Sequence, residues 1–315
     1  MKTKIFIDGS EGTTGLRIHE RFAGRDDVEL LMISPELRKD VNERKRLINE
    51  SDITFLCLPD SAAIESVSLV ENDHVRIIDT STAHRTQEGW AYGFAELSPA
   101  HRQAIQTGKR IAVPGCHATG FISLIYPLVA GKIMAPDYPV SAFSLTGYSG
   151  GGKKRIAEYE EENRSPYLDA PMEYALGQQH KHLREMKAIT GLTRTPLFSP
   201  IIADYYSGML LTVMVHTDLL SGTWTLESLH NYLTDYYKGE QFIRVMPLGA
   251  EADENNLLGS NVRSGWDGLE IFVTGNDERI QLSARFDNLG KGASGAAIQC
   301  LNIMLGCEEE RGLNL

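Results

Sequence analysis

KIFIDGSEGTTGLRI, residues 4–18, decides the fold. A short β-rich run ending at Asp8 passes directly into Gly9, Gly12 and Gly15. Leu16, Ile18 and Phe22 then follow at helical spacing. A strand that feeds a glycine loop opening a helix is what a dinucleotide pyrophosphate requires. Glycines let the backbone turn tightly and approach the phosphates, and the helix start offers unpaired N–H groups at the positive end of its dipole. The spacing is GxxGxxG rather than GxGxxG, so its force comes from its surroundings, and a plain glycine-rich β–α turn is the competing reading.

Those surroundings alternate. Further β-rich runs stand at residues 28–34 (VELLMIS), 52–58 (DITFLCL), 75–80 (VRIIDT) and 110–113 (RIAV), with helical spacing over 37–48 and 61–70. Continuous apolar runs joined by helix-length segments predict parallel strands covered on both faces, a Rossmann-type doubly wound α/β sheet. From about residue 141 the pattern changes to period-two strands. These include 208–216 (GMLLTVMVH) and a hairpin of 269–274 with 279–286 across Gly275-Asn276-Asp277-Glu278. In its second arm Ile280, Leu282, Ala284 and Phe286 should face one way, with Gln281, Ser283 and Arg285 facing the other. Residues 225–237 and 293–305 read as helices. The second half is therefore expected to be an α+β domain with a mixed sheet.

Composition narrows the function. The 315 residues suit about two domains; 42% are hydrophobic, 23% are charged and the net charge is −11. An acidic chain is a poor polyphosphate binder, so nucleic acid is not expected as a partner. The longest apolar stretch, 120–131, is broken by Pro127 and too short to span a bilayer, and the first residues lack a signal-peptide core. Four cysteines without a CxxC pair predict neither a disulfide scaffold nor structural zinc. No membrane association and a cytoplasmic location are expected.

NAD-binding sheets usually carry an acidic residue about 20 residues beyond the glycine loop, at the end of strand two. Here the chain has Ser34-Pro35 followed by Arg38 and Lys39, which suits the 2′-phosphate of NADP, although Glu36 lies between them. Of the cysteines, Cys116 stands apart: in VPGCHATG (113–120) it lies between a strand end and an amphipathic helix. A helix dipole there favours the thiolate, the reactive form of a nucleophile. Cys57 reads as a strand residue, and a buried turn residue is the bland alternative for Cys116. For the proton carrier the notable pair is His180 and His182, ahead of a helical run stopped by Gly191. Histidines at i and i+2 can also share a metal ion, but no Cys or carboxylate cluster accompanies them, so no metal is expected.

Six segments, IDGSEGTTGLRI, DTSTAHR (79–85), VPGCHATG, TGYSGGGKK (146–154), HKHLREM (180–186) and DNLGKGASGAAIQ (287–299), together resemble one family. It is the shorter form of N-acetyl-γ-glutamyl-phosphate reductase, within the aspartate-semialdehyde dehydrogenase-like superfamily. The resemblance implies NADPH-dependent reduction of N-acetyl-γ-glutamyl phosphate to N-acetylglutamate 5-semialdehyde in arginine biosynthesis, with release of inorganic phosphate. Cys116 would carry a thioester, His180 would be the acid/base, and His182 would orient it or contact substrate. Gly9, Ser10, Gly12, Thr13, Thr14 and Gly15 would hold the pyrophosphate; Ser149, Gly150 and Asn288 would lie near the nicotinamide. Arg85, Lys153 and Arg184 are the candidates for binding substrate anions. The resemblance also implies a nucleotide domain of residues 1–115 and 288–315, a catalytic and oligomerisation domain of 116–287, and a homodimer or homotetramer. Where longer relatives read GASGYTG and place a tyrosine after the cysteine, this chain has GSEGTTG and His117. The rival readings are an aspartate-semialdehyde dehydrogenase, a non-catalytic NADP-binding regulator, and a zinc hydrolase built on the histidine pair.

Overall fold

In the computed structural model, which describes residues 2–315, the alternating first part of the chain folds as β1 (Thr3–Asp8), α1 (Thr13–Glu20), β2 (Val28–Leu31), α2 (Val41–Glu50), β3 (Ile53–Leu56), α3 (Asp60–Ser68), β4 (Arg76–Asp79), β5 (Ala91–Tyr92), α4 (Pro99–Thr107) and β6 (Arg110–Ala112). The strands are all parallel, in the order β2-β1-β3-β4-β6-β5. Strand periodicity sends alternate residues to opposite faces. Ile5, Ile7, Ile53, Phe55 and Ile78 pack with Ile18, Phe22 and Ile105. Phe6, Leu56 and Ile77 pack with Leu47, Ile48 and Ala63. Helices thus cover both faces, which is why the strands read as unbroken apolar runs.

Two elements begin or end away from their expected positions. The helix expected from residue 37 starts at Val41, because Asp40 caps it by accepting the Glu43 N–H at 2.9 Å. Residues 34–40 are instead consumed by turns, with the Leu37 N–H donating to Ser34 and the Asp40 N–H to Leu37. Strand β2 stops at Leu31, so Ser34 lies past its end.

The second part comprises α5 (Cys116–Ala130), β7 (Ser141–Gly147), α6 (Gly152–Glu160), β8 (Met172–Glu173), α7 (His182–Thr190), β9 (Leu197–Ala203), β10 (Met209–His216), α8 (Leu226–Tyr236), β11 (Ile243–Val245), β12 (Leu269–Gly275) and β13 (Arg279–Phe286). Its sheet is mixed, ordered β11-β12-β13-β10-β7-β9-β8. The β12–β13 hairpin turns where the Asn276 side chain accepts the N–H groups of Glu278 and Arg279. Helix α5 lies directly on this sheet: a Cβ at Gly120 would stand 2.9 Å from the Phe286 ring and 3.0 Å from the Leu211 Cβ. The polar face of β13 is buried at Ser283 and Arg285 as well. Arg285 is 1% exposed, held by Glu254 and Glu270, and Ser283 meets Thr212 at 2.9 Å. Strand alternation reports polarity, and a paired charge can be buried without changing that pattern.

The chain ends with α9 (Gly295–Leu305), whose Ala296, Ala297, Ile298 and Leu301 join the core that contains Ile5 and Ile78. The Arg76 guanidinium donates to the carbonyls of Ile105, Gly108 and Met304, at the carboxyl ends of α4 and α9. By contacts the chain divides into Met1–Gly115 with Ala293–Leu313, and Cys116–Gly292 with Asn314–Leu315. The second division falls at Ala293 rather than at residue 288, because Asn288 is bonded to Ser149 and Gly208. Among the described residues no helix is long and apolar enough to cross a membrane.

Candidate active site

In the first unit the glycine loop closes against the end of β3. Gly9 has φ +89°, in the left-handed region, and any Cβ there would collide with the Cys57 carbonyl. A Cβ at Gly15 would collide with the Gly9 carbonyl oxygen. Gly12 precedes α1 in an extended conformation with no side-chain cap, so the first-turn N–H groups at Thr13 and Thr14 are left for an outside acceptor. Beside this loop is a cleft of about 380 Å³, lined by Asp8, Gly9, Ser10, Glu11 and Gly12 and walled by Ile33, Pro35, Arg38, Lys39 and Arg44. Ser34, between two lining residues, is exposed. Both carboxylates in the cleft are held: Glu11 pairs with Arg38, and Asp8 accepts from Arg44 and Ser66. Cys57 also lines it, but burial pushes its thiol up to about 12, so it remains protonated at neutral pH. A backbone cradle that no side chain may fill, next to a cleft with cations, fits a dinucleotide.

In the second unit Cys116 is the first residue of α5 and half-buried. Gly292 faces it closely; a Cβ there would lie 3.0 Å from the Cys116 Cβ. The next residue, His117, is buried, with Nδ1 2.7 Å from the Ser144 hydroxyl and Nε2 2.7 Å from the Tyr174 hydroxyl. Burial, with the nearby positive charges of His180 and Lys181, drives its pKa well below the ordinary histidine value. The His180 ring stands 5.3 Å from that of His117 and 4.7 Å from that of His182, and Phe198 closes the group edge-on. His180 Nδ1 accepts the His182 N–H at 3.2 Å at the start of α7. The segment carrying Tyr174 and His180 is strained, with Ala175 and Gln178 both at φ +54°. It is clamped by the Gln178 amide, which exchanges two 2.9 Å hydrogen bonds with the Phe198 backbone. Ser149, Gly150 and Asn288 come together: the Asn288 amide donates to the Ser149 hydroxyl at 3.0 Å and accepts the Gly208 N–H at 2.8 Å.

A nucleotide cradle in one unit and a helix-start thiol among histidines in the other match what the comparisons return. Residues 5–105 match the family described as semialdehyde dehydrogenase, NAD binding domain, and residues 116–288 match semialdehyde dehydrogenase, dimerisation domain. An N-acetyl-gamma-glutamyl-phosphate reductase 2 from Nostoc sp. is 43% identical over 99% of both chains. An N-acetyl-gamma-glutamyl-phosphate reductase from Rhizobium meliloti is 45% identical over 97% of this chain and 99% of that one. The chain belongs to the N-acetyl-γ-glutamyl-phosphate reductase family. Among solved structures, aspartate semialdehyde dehydrogenase from Francisella tularensis superposes with a TM-score of 0.74 at 15% identity, over 96% of this chain and 100% of that one; the likeness is one of fold.

The cationic candidates of this family member are dispersed. Arg85 is buried, donating to the carbonyls of Val113 at 2.8 Å and Thr80 at 3.0 Å, so its guanidinium ties together the chain beyond β4 and β6. Lys153 and Arg184 are exposed on α6 and α7. Sequence reasoning passed over Ser144, Tyr174 and Phe198. It gave His117 no role. Three histidine rings nevertheless gather here. Both nitrogens of His117 are engaged by hydroxyls, and among the described residues no group of three metal-ligating side chains is disposed to hold an ion.

Proposed function

We propose that this chain reduces N-acetyl-γ-glutamyl phosphate to N-acetylglutamate 5-semialdehyde, releasing inorganic phosphate, as a step of arginine biosynthesis. The Cys116 thiolate attacks the γ-acyl carbon, the bond to the phosphate oxygen breaks, and a thioester remains on Sγ. His180 takes the thiol proton and returns it to the departing phosphate. N–H groups at the start of α5 stabilise the oxyanion of each tetrahedral stage. NADPH, when bound, would supply the hydride for the thioester carbon. The carbonyl then re-forms, the C–S bond breaks to release aldehyde, and the regenerated Cys116 takes one proton from solvent. His182 orients His180 through its backbone N–H on Nδ1. What carries this reading is the helix-start thiol beside the three histidine rings; identities of 43% and 45% over nearly the whole chain support the substrate.

The residues that would hold the nucleotide are Gly9, Ser10, Gly12, Thr13, Thr14 and Gly15, with Ser149, Gly150 and Asn288 in the second unit. NADP rather than NAD is favoured because Arg38 and Lys39 line the cleft and its two carboxylates are already held by arginines. The first unit would be the nucleotide domain and the second the catalytic and oligomerisation domain. A homodimer or homotetramer is supported by exposed apolar side chains on the second sheet, among them Phe143, Leu197 and Met214. Four free cysteines suit a reducing compartment, hence the cytoplasm.

The test runs the reaction backwards, following NADP⁺ reduction with N-acetylglutamate semialdehyde, with and without phosphate. Phosphate-dependent activity on that aldehyde and not on aspartate semialdehyde is expected. Preference for aspartate semialdehyde would move the chain to the sister reaction, and equal rates with NAD⁺ would remove the role given to Arg38.

A further inference from the structure

His117 is not a spare histidine next to the nucleophile, because its two hydrogen bonds have a direction. Ser144 lies on β7, fully buried, and among the described residues its hydroxyl meets only the His117 Nδ1. A buried hydroxyl left without an acceptor is costly, so Ser144 donates and Nδ1 accepts. A neutral imidazole carries one ring hydrogen, which then sits on Nε2. Neutrality is secured by burial and by the positive charges that His180 and Lys181 place nearby. Nε2–H therefore donates to the Tyr174 oxygen, 2.7 Å away. Tyr174 has its acceptor side occupied and its own hydrogen still to give.

Tyr174, bonded to the histidine that follows Cys116 in the chain, lies within electrostatic reach of that cysteine. Burial comes first, and the negative charge of Cys116 second, in raising the Tyr174 pKa, so the phenol keeps its hydrogen. The backbone holds the residue in place: the Tyr174 N–H donates to the Pro200 carbonyl at 3.0 Å, continuing the β8–β9 pairing. The titratable neighbours are His180 and Lys181 from the loop and His182 from α7; β7 and β9 contribute Ser144 and Phe198, which do not titrate.

We propose that Tyr174 is a hydrogen-bond donor to the negative charge that forms at Cys116, its hydroxyl turned outward by the one-way chain from Ser144 through His117. Ser144 and His117 are positioning residues in this arrangement, and Tyr174 is the group that meets the reacting sulfur. The idea rests on Cys116 being the nucleophile, as proposed above, but its test needs no substrate.

The experiment is the pH dependence of Cys116 alkylation by iodoacetamide in the intact protein, read by mass mapping of the labelled peptide. Tyr174→Phe removes the donor and keeps the ring, so the thiol should titrate higher and the rate at neutral pH should fall about ten-fold, as for loss of a hydrogen bond to a charged group. Ser144→Ala should lower the rate in the same sense, because Nδ1 is then free to carry the hydrogen and Tyr174 to turn back and donate to Nε2; Ser144→Thr, which keeps the hydroxyl, should restore it. In turnover, Tyr174→Phe should lower kcat with little change in KM. A Tyr174→Phe profile that superimposes on the parent would overturn the donor role, and equal effects of Ala and Thr at Ser144 would overturn the directed chain. Should Tyr174→Phe fail to fold, the Ser144 pair decides. Failure of the substrate assignment would appear in the aldehyde assay alone and leave the alkylation profiles unmoved.

Discussion

Replacing Tyr237 by Phe tests how the helix that presents the nucleophile tolerates a proline in its interior. Pro127 lies inside α5 and has no N–H, so the carbonyl of Ser123 one turn earlier is deprived of its helical donor. The Tyr237 hydroxyl, just past α8, donates to that oxygen at 2.7 Å, and the bond is buried. Tyr232 similarly donates to the Pro127 carbonyl at 2.8 Å. Removing the Tyr237 hydroxyl strips a buried carbonyl of its substitute donor, at a cost of about 1–3 kcal/mol. The informative control is Pro127→Ala, which supplies the missing N–H. In that background Tyr237→Phe should cost roughly 0.5–1 kcal/mol, the ordinary worth of a redundant hydrogen bond. The assay is urea denaturation of the four proteins of this cycle, followed by tryptophan fluorescence, to which Trp224 and Trp266 of the second unit contribute alongside Trp90. Equal costs of Tyr237→Phe in both backgrounds would refute the compensation, and the hydroxyl would then stabilise α8 by some other route.

Gly15→Ala should disrupt the loop itself, lowering both the melting temperature and NADPH affinity, whereas Gly12→Ala, whose Cβ would sit 3.4 Å from the Gly9 oxygen, should spare the fold and weaken only NADPH binding. Fluorescence titration and thermal melts distinguish the two, and the opposite order would undo the cradle. At pH 8 an alkylating reagent should modify Cys116 and leave Cys57, raised to about 12, untouched; Cys116→Ala should abolish turnover while binding NADPH normally. For His117 the folded pKa lies below the unfolded value near 6.5, so the unfolded chain binds the extra proton and the ring's contribution to stability, full above about pH 6.5, is lost as the pH falls below it. The urea midpoint should therefore fall less steeply between pH 7.5 and 5 in His117→Gln than in the parent, and parallel slopes would contradict a buried neutral ring.

What could be read in the sequence was whatever is local in the chain. KIFIDGSEGTTGLRI announces a strand, a turn and a helix start within a few residues, and the collisions at Gly9 and Gly15 arise from that same stretch packing on the end of β3. Cys116 was legible for the same reason, because a strand end followed by an amphipathic run predicts a helix start whatever the rest of the chain does. The starting point of α2 was missed although its capping residue was in view. Asp40 competes with the apolar spacing that begins at Leu37, and a single side-chain cap outweighs a hydrophobic position that solvent can accept. The burial of Arg285 was not legible, because period two distinguishes polar from apolar, while that burial depends on Glu254 and Glu270 arriving from 31 and 15 residues away.

The same distinction explains the surroundings of the thiol. Ser144 and Tyr174 reach His117 across 27 and 57 residues, through strands whose mutual register no local pattern specifies. Their side chains carry no net charge and occupy positions where a serine in a strand or a tyrosine after one is unremarkable. Their meaning appears only when the donors are counted. One imidazole hydrogen and two hydroxyls admit a single arrangement in which the buried Ser144 hydroxyl is satisfied, and that arrangement leaves the Tyr174 hydrogen for Cys116. The histidine at 117 and the hydroxyls at 144 and 174 should therefore be judged as one unit, and substitutions at any two of them should be strongly non-additive in the reactivity of the thiol.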